Sequence, residues 1–180
     1  MKLVYSIPDK LYYIKNFLDF NSYKNIHNAI FTERKKINLS SVKDRWQEFL
    51  IKNIKPPKVV DVINYPPFEK LKILAQHNQF YKLDSKILST SIHYMERGSG
   101  INWHSDKGWK YGATYYVNNR WNNQWGGEFM FTGNNGHGYI PFQGNSLVIV
   151  KTPIAHKVNP VLSPIIPRIS VQMFMDSYEE

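Results

Sequence analysis

The sequence contains no cysteine. Disulfide bonds, thiolate metal sites and cysteine nucleophiles are therefore excluded, and any bound metal must be held by His, Asp, Glu or backbone oxygen. Long apolar runs are also missing. The N-terminal segment is broken by Pro8, Asp9 and Lys10, unlike the core of a signal peptide, and no stretch is long enough to cross a bilayer. These absences predict a soluble, intracellular (cytoplasmic) protein with no membrane partner.

Arginine is scarce, with five residues in a chain whose net charge is +9. The positive charge therefore comes mostly from lysines, which are scattered along the chain. We interpret this charge as a solvated surface rather than a polyanion-binding face. Because arginines are so few, the position of each one is informative.

The length of 180 residues, with 42% hydrophobic and 15% aromatic residues, fits one folded domain. No internal repeat or flexible linker divides it. The pattern nevertheless changes along the chain, and we expect a helical support region at 1–85 and a β-rich core at 86–180.

Three segments of the first region have apolar residues at helical spacing behind capping residues or proline. They start at Asn21 or Ser22, at Ser40 or Ser41, and near Pro67, and they extend to about Lys35, Leu50 and Ala75.

The second region predicts short strands separated by Gly, Asn and Pro turns. Many short strands of this kind indicate a sandwich, a barrel or a jelly roll, with the preceding helices packed on one outer face of the sheet. The fold class is therefore α+β. The predicted strands are 87–95, 111–118, 127–132, 138–141, 146–151 and 168–175.

A possible metal site lies in the second region. In an extended segment His104 and Asp106 point the same way, and His156 follows an apolar strand that brings it to the mouth of a sheet. Two histidines and one carboxylate form the facial triad of non-haem Fe(II) oxygenases. By themselves these residues are equally compatible with a surface pair and a loop histidine.

Arg168 opens an apolar strand, where an arginine is costly unless an anion pairs with it. Its planar guanidinium matches a carboxylate in two-point contact, and Ser170 lies on the same face. A dicarboxylate cosubstrate would satisfy both residues. The alternative is an arginine at the solvent edge of the strand.

The stretch from Ile92 to Met175 resembles the catalytic core of Fe(II)/2-oxoglutarate dioxygenases, and most closely that of prolyl 4-hydroxylases. The resemblance covers almost half of the chain and keeps the family's order of motifs. Those motifs are Tyr94, Gly98, Gly100, His104, Asp106, Tyr115, Tyr116, Val117, Asn118, Trp121, Gly126, Gly127, Glu128, Pro141, Leu147, His156 and Arg168.

The resemblance implies a double-stranded β-helix (jelly roll) core and a reaction that uses Fe(II), 2-oxoglutarate and O2, with ascorbate as reductant. It further implies a role for each matching residue. His104, Asp106 and His156 would be the iron ligands, Arg168, Tyr116, Tyr94 and Ser170 would bind 2-oxoglutarate, and Trp103 and Phe174 would lie near the substrate.

The resemblance points to a proline in a protein or peptide as the substrate. Nucleic-acid demethylation is disfavoured, because the related demethylases carry a second arginine where Phe174 stands here. A free amino acid, a small metabolite or a non-catalytic cupin-like metal-binding module remain as alternatives. Residues 52–67, flanked by paired prolines, are expected to form a mobile substrate lid.

Overall fold

The computed structural model describes residues 1–33, 40–41, 46–133 and 136–177. Its first half contains strands as well as helices. The elements are β1 (Lys2–Ile7), β2 (Leu11–Lys15), α1 (Phe20–Glu33), β3 (Ser40–Ser41), β4 (Lys58–Asp61), α2 (Glu69–Gln76), β5 (His77–Asn78) and β6 (Tyr81–Lys82), with 3-10 turns at Glu48–Leu50 and Pro66–Phe68.

The second half is built from strands in the described residues, apart from one 3-10 turn at Asn123–Trp125. The strands are β7 (Ile87–Met95), β8 (Ile101–His104), β9 (Trp109–Tyr116), β10 (Phe129–Gly133), β11 (Gly136–Ile140), β12 (Ser146–Lys151), β13 (His156–Val158) and β14 (Arg168–Ser177).

Two antiparallel sheets face each other. The large sheet has eight strands in the order β1-β2-β12-β9-β14-β7-β4-β3, and the small sheet has four in the order β11-β10-β13-β8. Several neighbours in the large sheet are far apart in sequence, as β2 beside β12 and β9 beside β14. This arrangement is the predicted jelly roll, extended by strands from the N-terminal region.

The large sheet is buried on both faces. Between the sheets lies a cluster that includes Leu11, Tyr116, Phe131 and Val148. On the opposite face, residues of α1 and α2 such as Ile30 pack against the sheet. The prediction of helices on one face of the sheet is confirmed.

The first and third predicted helices correspond to α1 and α2, although residues 34–35 lie outside the described part of the chain. The second predicted helix is wrong in the part that the structure describes. Ser40–Ser41 form a strand, Glu48–Leu50 form a single 3-10 turn, and 42–45 lie outside the described residues. Trp46 and Leu50 are spaced as in a helix, but they lie outside any helix and pack against the apolar clusters beside β4 and β7.

The six predicted strands are present as β7, β9, β10, β11, β12 and β14, two of them with the predicted bounds. The short strands β8 and β13, and the strands β1, β2, β3, β5 and β6 of the N-terminal region, were not predicted. The N-terminal half is therefore less helical than expected. No helix in the described ranges is long and apolar enough to span a membrane.

Candidate metal centre

The three metal-ligand candidates meet where β8 and β13 pair. His104, the last residue of β8, lies directly opposite His156, the first residue of β13. Nε2 of each histidine is 3.6 Å from a different carboxylate oxygen of Asp106. Potential ligand atoms of the three side chains lie within 4.8 Å of one another, so one metal ion could contact all three.

Backbone carbonyls orient both imidazoles. Nδ1 of His104 donates a hydrogen bond to the carbonyl of Asn102 at 2.7 Å, and Nδ1 of His156 donates one to Ile154 at 3.1 Å. A carbonyl can only accept, so the proton is assigned to Nδ1. The lone pair of each Nε2 is thereby available to a metal, which is the usual outer-shell arrangement of ligating histidines.

The charge states also suit metal binding. Burial disfavours the Asp106 carboxylate, but contact with His104 and the charge of His156 outweigh it and keep the pKa of Asp106 below its ordinary value. Burial lowers the pKa of His156, with Asp106 opposing. An ionised carboxylate and a neutral imidazole are the forms that bind metal.

The position of Asp106 depends on two neighbours. The hydroxyl of Thr152 donates to the carbonyls of Trp109 and Asp106, at 2.7 and 3.2 Å, and so holds the turn between β8 and β9. Gly112 leaves room for the carboxylate, since a Cβ at this position would lie 2.5 Å from Oδ2 of Asp106.

Arg168 is buried at the other end of the site, with 1% of its side chain exposed. Its Nε donates to the carbonyl of Gly127 at 3.0 Å and its Nη1 to the hydroxyl of Ser170 at 3.1 Å. Nη2 is buried and has no acceptor among the described residues. Burial lowers the pKa of Arg168, with Tyr116 opposing, but an arginine stays charged in a protein.

Tyr116 packs against this guanidinium. The Arg168 Cζ lies 5.0 Å from the ring centroids of both Tyr116 and Phe142. The buried hydroxyl of Tyr116 also has no hydrogen-bond partner in the described part of the chain. Burial raises its pKa to about 12, and both the charge of Arg168 and a close side-chain contact with it oppose this rise, although no hydrogen bond of ordinary geometry joins the two. Two buried donors without an acceptor make a site suited to an anion such as a carboxylate.

The Gly126-Gly127 pair has a role beyond a hairpin turn. Both residues have positive φ, 66° and 75°. A Cβ on Gly127 would lie 2.9 Å from Cδ of Arg168, and one on Gly126 would lie 2.3 Å from the carbonyl oxygen of Pro160. Glycine at 127 therefore lets the backbone accept from Arg168 at close range.

One cavity of about 280 Å³ joins the triad to Arg168. At its outer end the rings of Trp109 and Phe174 stack with centroids 5.3 Å apart. The other lining residues are Trp46, Leu50, Val59, Asp61, Ser89, Ser91, His93, Met95, Ile101, His104, Asp106, Thr114, Phe129, His156, Val158, Arg168, Ser170 and Gln172.

Two residues expected at the site lie elsewhere. Tyr94 belongs to the cluster between the large sheet and the helices, because its neighbours His93 and Met95 face the cavity and side chains alternate along β7. Trp103 is 37% exposed, with its ring 5.0 Å from that of His137. It points away from the cavity because the adjacent His104 points into it.

Four of the cavity residues that were not predicted form two hydrogen-bonded pairs. His93 forms a hydrogen bond with Ser91 at 3.0 Å, and Thr114 donates one to Gln172 at 2.6 Å. The sequence does contain a signal for the first pair. Ser89, Ser91 and His93 occupy every second position of β7, so their side chains lie on one face of the strand, which is typical of a face that meets a polar cavity.

Residues 90–176 match the family model described as the 2OG-Fe(II) oxygenase superfamily. A search of curated protein sequences gives no significant match.

Among solved structures, a Pseudomonas putida prolyl-4-hydroxylase is similar with a TM-score of 0.72 and 13% identity, over 94% of each chain. A Trichoplax adhaerens prolyl hydroxylase, solved with a peptide fragment of the hypoxia inducible factor oxygen degradation domain, has a TM-score of 0.72 and 16% identity, over 94% of this chain and 84% of that one.

The fold is not restricted to prolyl hydroxylases. A non-heme alpha ketoglutarate dependent epimerase from nogalamycin biosynthesis has a TM-score of 0.67 and 10% identity, over 93% of this chain and 77% of that one. Residues 90–176 therefore match the 2OG-Fe(II) oxygenase superfamily, and the fold of the chain is similar to that of the prolyl 4-hydroxylases.

Proposed function

We propose that this protein is an Fe(II)- and 2-oxoglutarate-dependent dioxygenase that hydroxylates a prolyl residue in a protein or peptide and releases succinate and CO2. His104, Asp106 and His156 would hold the metal. Arg168 and Tyr116, supported by Ser170, would hold the distal carboxylate of 2-oxoglutarate.

One observation carries this proposal. Nη2 of Arg168 and the hydroxyl of Tyr116 are buried donors that lack an acceptor among the described residues, and Arg168 lines the same cavity as the His-Asp-His cluster. A buried, unpaired donor costs free energy, and a dicarboxylate chelating the metal with its other end would satisfy both donors. A protein that only binds a metal would not need buried, unpaired donors beside the metal site.

The residues of the chain contribute positions, charge and shielding. Fe(II), together with 2-oxoglutarate and O2, supplies the oxidising chemistry that hydroxylates a C–H bond. The carbonyls of Asn102 and Ile154 keep both imidazoles in the ligating tautomer. Burial of Arg168 and Tyr116 keeps water from the carboxylate pocket, which strengthens each charged hydrogen bond in it.

The substrate would enter at the outer end of the cavity. Trp109 and Phe174 offer apolar ring faces there, and the Thr114–Gln172 pair offers polar groups between the rings and the triad. Ring faces suit a pyrrolidine, and the similar Trichoplax adhaerens enzyme was solved with a peptide. Nucleic-acid demethylation is disfavoured, because position 174 is a phenylalanine and not an arginine that could bind a phosphate.

Residues 52–67 would cover the bound peptide. Val59 and Asp61 line the cavity from β4, which pairs with β7 along four residues. Three residues before β4, the backbone N–H of Lys55 donates a hydrogen bond to the carbonyl of Gly98, in the turn after β7, at 3.0 Å. Because β4 pairs with β7 and Lys55 is bonded to the turn after it, the remaining residues of 52–67 are the part that could move as a lid.

Succinate formation tests the reaction. The protein is incubated with Fe(II), ascorbate, 2-oxoglutarate and proline-rich peptides, and succinate and peptide mass are measured. We expect succinate and a peptide heavier by one oxygen atom. Succinate without peptide modification would favour a small-molecule substrate, and no succinate with any mixture would contradict the dioxygenase assignment.

Arg168→Ala tests the cosubstrate pocket. The variant should weaken 2-oxoglutarate binding by at least about tenfold, because a buried charge-assisted contact is lost, while metal affinity changes little. Equal losses of metal and 2-oxoglutarate binding would mean that Arg168 only maintains the fold.

A further inference from the structure

Tyr13, in β2 of the N-terminal region, reaches into the space between the two sheets. Only 3% of its side chain is exposed, and it packs in the same cluster as Tyr116 and Phe142. Its strand lies beside β12, where Tyr13 is opposite Val148, and β12 in turn lies beside β9, which carries Tyr116. Val148 is itself opposite Thr114, so Tyr13 and Tyr116 are separated by one strand and by two positions along it, and both side chains point between the sheets.

The hydroxyl of Tyr13 is buried and makes no hydrogen bond to any described residue. Ser146 lies close enough to lower the pKa of Tyr13, although burial dominates and raises it. Ser146 gives its own proton to the carbonyl of Gln143 at 2.5 Å, and no hydrogen bond of ordinary geometry joins it to Tyr13 within the described ranges. A buried hydroxyl in this state is normally explained by a ligand or an ordered water.

Three such donors occur together. Tyr13 and Tyr116 are close enough to interact electrostatically, since Tyr13 raises the pKa of Tyr116, and the guanidinium of Arg168 lies against the Tyr116 ring. The hydroxyls of both tyrosines and Nη2 of Arg168 have no partner in the described part of the chain. The two oxygens of a carboxylate offer about four acceptor positions, enough for all three donors.

We propose that Tyr13 is a third donor to the distal carboxylate of the 2-oxo acid cosubstrate, so that a strand of the N-terminal region completes the pocket formed by Arg168 and Tyr116. This inference rests on the proposed function, because it takes 2-oxoglutarate as the ligand. It adds a specificity-determining residue outside residues 90–176, the range that matches the superfamily model.

Tyr13→Phe removes only the hydroxyl, and Tyr12→Phe is its matched control. Tyr12 is the next residue of the same strand but faces the helices, where its ring packs 4.9 Å from that of Tyr81. Calorimetric titration of the Fe(II)-loaded protein under argon would compare 2-oxoglutarate with 2-oxopentanoate, which has a methyl group in place of the distal carboxylate. Thermal unfolding of each variant, with and without ligand, would be measured in parallel.

We expect Tyr13→Phe to raise the Kd for 2-oxoglutarate about tenfold and to leave the Kd for 2-oxopentanoate unchanged, because a hydrogen bond to a charged group is lost. Without ligand the variant should be as stable as the wild type or more so, since a buried unpaired hydroxyl is removed. Tyr12→Phe should leave both dissociation constants unchanged.

A 2-oxoglutarate Kd within twofold of the wild type would overturn the role of Tyr13. An equal loss for both ligands would also overturn it, because it would indicate a purely structural effect. If the wild-type protein bound neither ligand, the proposed function itself would fail, and this outcome is distinct from a failure of Tyr13 alone.

Discussion

At the scale of single residues, Gly112 controls how closely the backbone of β9 approaches the metal cluster. A Cβ at this position would lie 2.5 Å from Oδ2 of Asp106, well inside van der Waals contact. Asp106 can rotate away, but then it leaves both histidines. Adding one methyl group to β9 at position 112 would therefore displace a metal-ligand candidate, Asp106.

Gly112→Ala should therefore weaken metal binding by about tenfold or more, with a smaller effect on folding. Metal affinity would be measured by titration of the purified protein with Fe(II) under argon. Gly133→Ala is the control, because a Cβ at Gly133 would meet no atom closer than 3.6 Å. Unchanged metal affinity in Gly112→Ala would mean that Asp106 is not a ligand.

Much of the site could be predicted from residue order and strand alternation. His104, Asp106, His156, Arg168, Ser170 and Phe174 line one cavity, and Tyr116 rather than Tyr115 points between the two sheets. The positions of Tyr94 and Trp103 could not be predicted in this way. Both lie next to cavity residues in strands, and only the pairing of Met95 with Arg168 settles which face of β7 meets the cavity.

At the scale of elements, Asn118 joins the end of β9 to the start of β14. Its Nδ2 donates to the carbonyl of Pro167 at 2.8 Å, and its Oδ1 accepts from the backbone N–H of Ile169 at 2.8 Å. These bonds flank Arg168 on both sides. Asn118 is itself only 2% exposed, so water cannot replace it.

Asn118→Ala should reduce the free energy of unfolding by about 2–4 kcal/mol, because two buried backbone groups lose their partners. It should also weaken 2-oxoglutarate binding, since the start of β14 is no longer held. Denaturant unfolding and calorimetry would measure the two effects. The exposed Asn123→Ala should change stability by less than about 0.5 kcal/mol, and a similar small loss in Asn118→Ala would argue against this role.

An ion-pair cluster connects the segment before β4 to the end of β7. Nζ of Lys55 and of Lys58 lie 2.6 and 3.0 Å from the two carboxylate oxygens of Glu96. The hydrogen bonds from Lys55 and Lys58 hold the pKa of Glu96 below its ordinary value of 4.5. Because the pKa of Glu96 is lower in the folded state, its ionised carboxylate stabilises the folded protein above about pH 4.5. This stabilisation is lost as the pH falls through the pKa that Glu96 has in the folded state.

Glu96→Gln should therefore reduce stability at pH 7 by no more than about 1 kcal/mol, because the pairs are partly exposed. The difference from wild type should shrink as the pH falls through the lowered pKa of Glu96 and the carboxylate of the wild-type protein is protonated. Denaturant unfolding at pH 7 and at a series of lower pH values measures it. If the difference in stability instead grew as the pH was lowered, the ionised Glu96 carboxylate would not be the stabilising form.

Element prediction succeeded where the pattern was strong and failed where contacts decide the structure. Strands β7 and β12 combine length with nearly continuous burial, and their bounds were predicted. β8 and β13 have four and three residues, too few to establish a period. The helix expected after Ser41 was wrong because apolar residues that contact the sheet from a loop can imitate helical spacing.

At the scale of the whole molecule, the N-terminal region is part of the large sheet rather than a separate support. β2 pairs with β12 along five residues, and Leu11 and Ile14 are fully buried on opposite faces of the sheet. Helix α1 covers the outer face. A boundary near residue 85 would therefore cut through one continuous structure.

Residues 1–180 should unfold in a single cooperative transition, with coincident circular dichroism and tryptophan fluorescence curves. A fragment of residues 86–180 should show no cooperative transition, since β12 loses β2, one of its two partner strands, and the face of the sheet that α1 and α2 cover is exposed. A folded, metal-binding fragment would contradict this and restore the division expected from the sequence.

The iron and 2-oxoglutarate assignment is tested most directly by visible absorption. The protein is loaded with Fe(II) under argon and titrated with 2-oxoglutarate, with Arg168→Ala and His156→Ala measured alongside. We predict a new visible band that saturates in the wild type, requires higher 2-oxoglutarate in Arg168→Ala and is absent in His156→Ala. No band in the wild type, or the same saturation curve in all three proteins, would contradict the assignment.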